Sequence, residues 1–258
     1  MSRFQQALSD KDFVVTLELD PPRGAELGPW LEAAATLAKR VDAVVVSDNR
    51  YGVARMSPLV AALRLAEKDA EVILTLACRD RNRLALTSDL LGAAAAGVAN
   101  LLLVSGDFPT LGDQPGSKPV YDLDSVTALG LAGQLMAGRD GAGVELVGAP
   151  EFFLGAAAAP AADPLEPQLM KLAKKLAAGA GFLITNPVED TAVLDAFLAR
   201  APEGVPILAM VEADTGAAVK AAAERVAALR ALGSLAGVHL SVAGDSLAVG
   251  ELLDGSGL

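Results

Sequence analysis

The chain predicts an α/β fold, a (β/α)8 barrel of the TIM type that takes up residues 1–258 as a single domain. Three observations carry that expectation. Eight short strand-like apolar runs alternate with helical stretches, and such alternation demands parallel strands. Most runs are continuously apolar rather than alternating, the pattern of strands buried on both faces. The eight units follow one another without a linker, and eight units close naturally into a barrel. A doubly wound open sheet is the competitor, but the chain holds nothing like its G-x-G-x-x-G fingerprint.

Taken in order, Phe13 to Leu19 reads as the first strand, stopped by Asp20-Pro21-Pro22. A helix follows with Pro29 in its first turn and Trp30, Leu31, Ala34 and Leu37 at helical spacing. Val41 to Ser47 is the second strand and ends in Asp48-Asn49-Arg50; Ser57-Pro58 opens the next helix. Glu71 to Cys78 is the third strand, ending in Arg79-Asp80-Arg81, and a helix runs from about 83 to 96. The fourth strand, Leu101 to Val104, stops at Gly106-Asp107-Phe108-Pro109, since glycine permits a tight turn and proline cannot continue a buried ladder. The loop 108–121 is of a length that in a compact domain is usually functional or disordered. After a helix over 125–136, the fifth strand is either 145–149 or 152–156; the second is preferred because Ala156-Ala157-Ala158 then lies at its carboxyl end. A helix over 165–178, a strand over 181–186, a helix over 190–198 and a strand over 205–212 come next. A charged helix from Gly216 to Leu232, an eighth strand from Gly237 to Ala243 and a short helix close the chain. Alanine runs at 93–96, 156–159 and 221–223 read as small packing surfaces at helical or strand-end positions.

Composition narrows the function classes. With 258 residues, 52% of them hydrophobic, the chain can bury a large core. No apolar run approaches the ~18 residues of a membrane span, and the N-terminal stretch lacks the apolar centre of a signal peptide. A single cysteine, Cys78, leaves no internal disulfide and no cysteine-cluster metal site. Together these favour the cytoplasm. A net charge of -11 argues against nucleic acid, which needs a basic stripe.

Barrels of this kind place reacting groups at the carboxyl ends of their strands, which here are Glu18, Asp20, Ser47, Asp48, Thr75, Asp107, Asn186 and Glu212. This rim carries no lysine for a Schiff base, Lys175 falling instead in a helix. The lone His239, in an apolar strand without a serine partner, reads as a packed core residue rather than a catalyst. Hard-cation binding such as Mg²⁺ lacks a ligand spacing. What carboxylates do without a metal is move protons and stabilise a developing cation. Flanked by Leu17 and Leu19, Glu18 is expected to be desolvated and raised toward the range of a general acid; the alternative is a structural glutamate paired with Arg23 or Arg79. The plain alternative for Asp107 is a loop cap.

Val15-Thr16-Leu17-Glu18-Leu19-Asp20-Pro21-Pro22-Arg23 resembles the opening strand of methylenetetrahydrofolate reductases, with its Glu-x-x-Pro-Pro signature. Leu76 to Arg83 and Leu101 to Asp107 resemble the family's third strand and its Gly-Asp fourth-strand end, and Lys175 to Asn186 is similar to its Lys-x-x-x-Gly-Ala segment and Thr-Gln strand end. The blocks keep family order from about residue 13 to 190; beyond that the match is mainly Gly237-Val238-His239. The resemblance implies an FAD-carrying barrel that reduces 5,10-methylenetetrahydrofolate to 5-methyltetrahydrofolate, with NAD(P)H or a partner subunit as donor. It makes Glu18 the acid that assists ring opening and Asp107 the stabiliser of the resulting iminium, in contact with both flavin and pterin. Asn186 would bind the folate; Ser47, Thr75, Gly106, Tyr121 and Lys175 would touch the flavin, beneath a packed loop 108–121.

The chain also departs from the family pattern. Asn186 replaces a longer glutamine, Thr75 a common histidine and Ser105 a frequent arginine, and Ala157-Ala158-Ala159-Pro160 lacks a His-Pro-Glu. Two rivals therefore stand beside the flavoenzyme: a flavin-independent reductase of the same fold, and a folate-binding or scaffold subunit without turnover. A homo-oligomer or hetero-complex is compatible with each.

Overall fold

The computed structural model describes residues 1–213, 217–242 and 246–256. Its strands are β1 (Val14–Leu19), β2 (Ala43–Val46), β3 (Val72–Ala77), β4 (Asn100–Val104), β5 (Phe153–Ala158), β6 (Phe182–Thr185), β7 (Ile207–Ala213) and β8 (Gly237–Val242). All neighbours pair in parallel and in sequence order, and β8 pairs with β1 to close the barrel. The helices are α1 (Arg3–Asp10), α2 (Gly28–Leu37), α3 (Pro58–Ala66), α4 (Arg83–Ala95), α5 (Ser125–Met136), α6 (Glu166–Ala177), α7 (Thr191–Leu198), α8 (Ala217–Ala231) and α9 (Ser246–Gly255). No helix among the described residues is long and apolar enough to cross a membrane. Gly216 and Ala243, the expected ends of a helix and of the eighth strand, lie outside the described residues.

Side chains alternate across each strand, and this sorts the apolar residues into two cores. Val14, Val45, Ile73, Leu102, Ile184, Leu208 and Met210 fill the barrel. Val15, Leu17, Val44, Val46, Leu74, Leu76, Leu101 and Leu103 face outward into the helical layer. The same parity aims Glu18, Glu212 and Ser241 into the mouth, because each continues the inward series of its strand. Lower inside, Thr16 Oγ1 and His239 Nδ1 lie 2.9 Å apart.

The fifth strand is the second of the two expected alternatives; residues 145–149 form no strand, and Glu145 instead bridges back to Arg139. Gly155 fits there because a Cβ would lie 2.2 Å from the Phe182 ring. The sequence reading missed α1. Its Phe4, fully buried, plugs the amino-terminal end of the barrel against Phe182, with ring centroids 5.1 Å apart.

Candidate active site

A cavity of about 360 Å³ opens at the carboxyl ends of the strands. Glu18, Ser47, Thr75, Gly106, Asp107, Lys175 and Asn186 all line it, so seven of the eight residues expected to form the site meet there. Tyr121 does not. It lines an adjoining groove with Phe108 and Leu111, and its hydroxyl donates to the Gly106 carbonyl at 3.0 Å. The floor is apolar, from Leu102, Val104, Ile184 and Met210. An apolar floor with a few convergent polar groups is the usual build of a small-molecule site.

Glu18 stands at the inner edge, with only 9% of its side chain exposed. It accepts hydrogen bonds from Arg50 Nη1 at 2.9 Å and from Ser241 Oγ at 3.1 Å. Burial pushes its carboxyl up to about 7 against the pull of Arg50. The arginine on Glu18 is thus Arg50, whereas Arg23 pairs with Asp113 at 3.0 Å and Arg79 with Asp80 at 2.6 Å. Arg50 also reaches Glu212 at 3.3 Å and the Ser241 hydroxyl, and the Tyr51 hydroxyl donates to Glu212. Nothing periodic flagged this pair: Arg50 and Tyr51 lie in an irregular loop that Asn49 (φ 47°) and Tyr51 (φ 56°) turn through the left-handed region, which non-glycine residues seldom adopt. The polar run Asp48-Asn49-Arg50 at a strand end was the available signal.

Asp107 is exposed at the rim, and its Oδ2 accepts the Tyr51 backbone N–H at 3.2 Å. The carboxylate thus ties its loop to the loop after β2 rather than capping its own turn. Gly106 has φ +85°, and a Cβ there would stand 2.9 Å from Arg79 Cβ, so the strand end requires glycine. Ser47 Oγ donates to Asp20 at 2.5 Å. Lys175 donates to the Ala157 carbonyl at 2.6 Å; burial, with Lys171 nearby, lowers its ammonium to about 8. Asn186 lies exposed at the rim. His239 is buried, and burial with the Arg50 charge depresses it to about 3, so it sits neutral in the floor as a core residue.

Three buried polar atoms of the lining have no hydrogen-bond partner among the described residues, Thr75 Oγ1, Asp48 Oδ1 and Arg50 Nε. The other oxygen of Asp48 accepts from Ala77 N–H at 2.8 Å and from Arg81 at 2.5 Å. Buried polar atoms are ordinarily satisfied, so an orphaned hydroxyl above an apolar floor suits a flat ring with hydrogen-bonding edges.

The sequence model of one protein family, methylenetetrahydrofolate reductase, matches residues 3–211. No curated protein matches the chain. Among solved structures, an uncharacterized protein from Clostridium thermocellum, described as binding two copies of 5-methyl-5,6,7,8-tetrahydrofolic acid, superposes with a TM-score of 0.69 at 12% identity over 98% of this chain and 97% of that one. A putative phosphonomutase from Burkholderia cenocepacia J2315 gives 0.57 at 15% identity over 92% and 90% of the two chains. Tryptophan synthase from M. tuberculosis gives 0.58 at 14% over the whole of both. At these identities the structural likeness speaks to the fold alone.

Proposed function

The chain belongs to the methylenetetrahydrofolate reductase family, and from that premise we propose that it reduces 5,10-methylenetetrahydrofolate to 5-methyltetrahydrofolate with FAD as hydride carrier and NAD(P)H or a partner subunit as donor. The observation that carries this reading is Glu18, a nearly buried carboxyl at the inner mouth whose pKa lies at about 7. A general acid works best with a pKa near the working pH. Glu18 protonates the bridging nitrogen of the substrate, the carbon–nitrogen bond opens, and the positive charge is left on the iminium. Asp107, an exposed carboxylate at the rim with no ionic partner among the described residues, stabilises that charge. Asn186 binds the pterin edge. The Clostridium thermocellum protein of the same fold, described as binding a methylated tetrahydrofolate, adds support for a ligand of that class.

The residues present fit FAD: the orphaned Thr75 hydroxyl and the apolar floor match the polar edge and flat face of its ring system. Ser47, Gly106, Asp107 and Lys175 would hold it from the cavity and Tyr121 from the adjoining groove. When bound, the flavin supplies the two-electron chemistry that these side chains lack.

Glu18→Gln tests the reading. Folate reduction should fall by about a hundredfold or more, the usual contribution of a general acid, while reduction of bound flavin by the donor continues. Equal loss of both half-reactions would make Glu18 merely structural. A second reading, folate binding without a flavin, draws on Ser47, Tyr121 and Lys175, which already donate to Asp20, Gly106 and Ala157. Flavin absorbance in the purified protein separates the two; folate reduction without it would mark a flavin-independent reductase.

A further inference from the structure

Arg50 has no part in the reaction just described, yet four acceptors converge on it. From the loop after β2 it crosses the barrel mouth, where Nη1 lies 2.9 Å from Glu18 of β1, 3.3 Å from Glu212 of β7 and against the Ser241 hydroxyl of β8. Its Nε stands 3.6 Å from Asp20. The Tyr51 ring, 5.0 Å from the guanidinium, covers one face. We infer that Arg50 is a positioning residue that sets how tightly Glu18 holds its proton, and hence the pH above which the site stops working. The inference deepens the role given to Glu18 and rests on it.

Burial and the neighbouring carboxylates Asp20 and Glu212 all favour the protonated form of Glu18. Ser241, which donates a hydrogen bond, and Arg50 favour the ionised form. His239 beneath is neutral, and burial together with the bond to Glu212 keeps the Tyr51 phenol protonated. Among these facing groups Arg50 supplies the positive charge, and a guanidinium, unlike an ammonium or imidazole, does not lose its charge in the working range. Without it, a desolvated carboxyl beside two others would keep its proton far into the alkaline range. A donor that never releases its proton is as useless as one that never regains it, so the guanidinium brings Glu18 to where both forms are accessible.

The test is a titration of Glu18 that needs no turnover. Protein labelled with ¹³C-glutamate is followed by NMR against pH in the parent, Arg50→Met and Arg50→Lys forms, with Glu18→Gln assigning the signal. Removing an opposite charge at this distance should raise the Glu18 midpoint by about 1–3 units. Arg50→Lys, which keeps the charge, should stay much closer to the parent. The alkaline limb of folate turnover in Arg50→Met should move up with the midpoint. If Arg50→Met does not fold, Arg50→Gln serves, since it keeps a hydrogen-bond donor and loses the charge. An unmoved midpoint in the uncharged variant overturns the inference. A midpoint that moves in a protein without folate reductase activity sustains the Arg50 role and removes the proposed reaction instead.

Discussion

A carboxyl that titrates at about 7 in the folded protein and at its ordinary 4.5 when unfolded makes stability depend on pH. Between those values the folded state holds a proton that the unfolded state has released, so stability is fullest below 4.5 and declines as pH rises toward 7. At alkaline pH the ionised, nearly buried Glu18 costs on the order of 3 kcal/mol. Glutamine carries no charge to desolvate. The gain in melting temperature of Glu18→Gln over the parent should therefore be larger at pH ~8 than at pH ~5, read from thermal melts at both. An equal gain at the two values would mean that Glu18 titrates normally. Its place at a strand end between Leu17 and Leu19, ahead of Pro21-Pro22, made this residue legible in the sequence; the structure adds that Glu18 follows Val14 and Thr16 on the inward face. Arg50 was not legible, because its direction is set by left-handed turns at Asn49 and Tyr51, and sequence periodicity does not register an irregular loop.

At the scale of elements, the loop between β4 and α5 is strapped to the loop after β2. Asp113 accepts the Ala54 N–H at 2.9 Å and pairs with Arg23, while Val120 N–H donates to the Arg79 carbonyl at 2.8 Å. The two loops meet glycine to glycine: a Cβ on Gly112 would stand 1.9 Å from the Gly52 carbonyl oxygen. That neighbour is backbone and cannot rotate away. Gly112→Ala should loosen the strap, speed proteolytic cutting within residues 108–121 and weaken folate turnover, with far-UV circular dichroism unchanged. Parent-like resistance to protease would show that the loops do not depend on this contact. The length of this loop marked it in the sequence, but its anchors could not be read, since they join residues from 41 (Arg79 and Val120) to 90 (Arg23 and Asp113) positions apart. The fifth strand was ambiguous for a related reason. Residues 145–149 and 152–156 are both apolar, and the choice rests on what they pair with, Phe153 opposite Asn100 and Gly155 opposite Phe182.

For the whole molecule, eight alternating units were enough to specify a closed parallel barrel, because most strands are apolar runs and each strand's neighbour in sequence is its neighbour in space. The element that seals the barrel escaped notice. Helix α1 is short and polar, is capped by Ser2, whose hydroxyl accepts from Gln5 N–H at 3.1 Å, and has Phe4 as its buried residue. One anchor has no period to detect. That anchor nevertheless completes the inner core: Phe4 packs on Phe182 and Phe153 at 5.1 and 6.0 Å, and the missing side chain of Gly155 makes room for the Phe182 ring. Phe4→Ala should open a cavity there and cost about 3–5 kcal/mol. For a chain of this size that lowers the melting temperature by roughly 10 °C. The mouth lies at the opposite end of the strands, so turnover per folded molecule, measured well below the transition, should remain at the parent value. A melting temperature within about 2 °C of the parent, under 1 kcal/mol on the same scale, would show that the barrel core closes without α1.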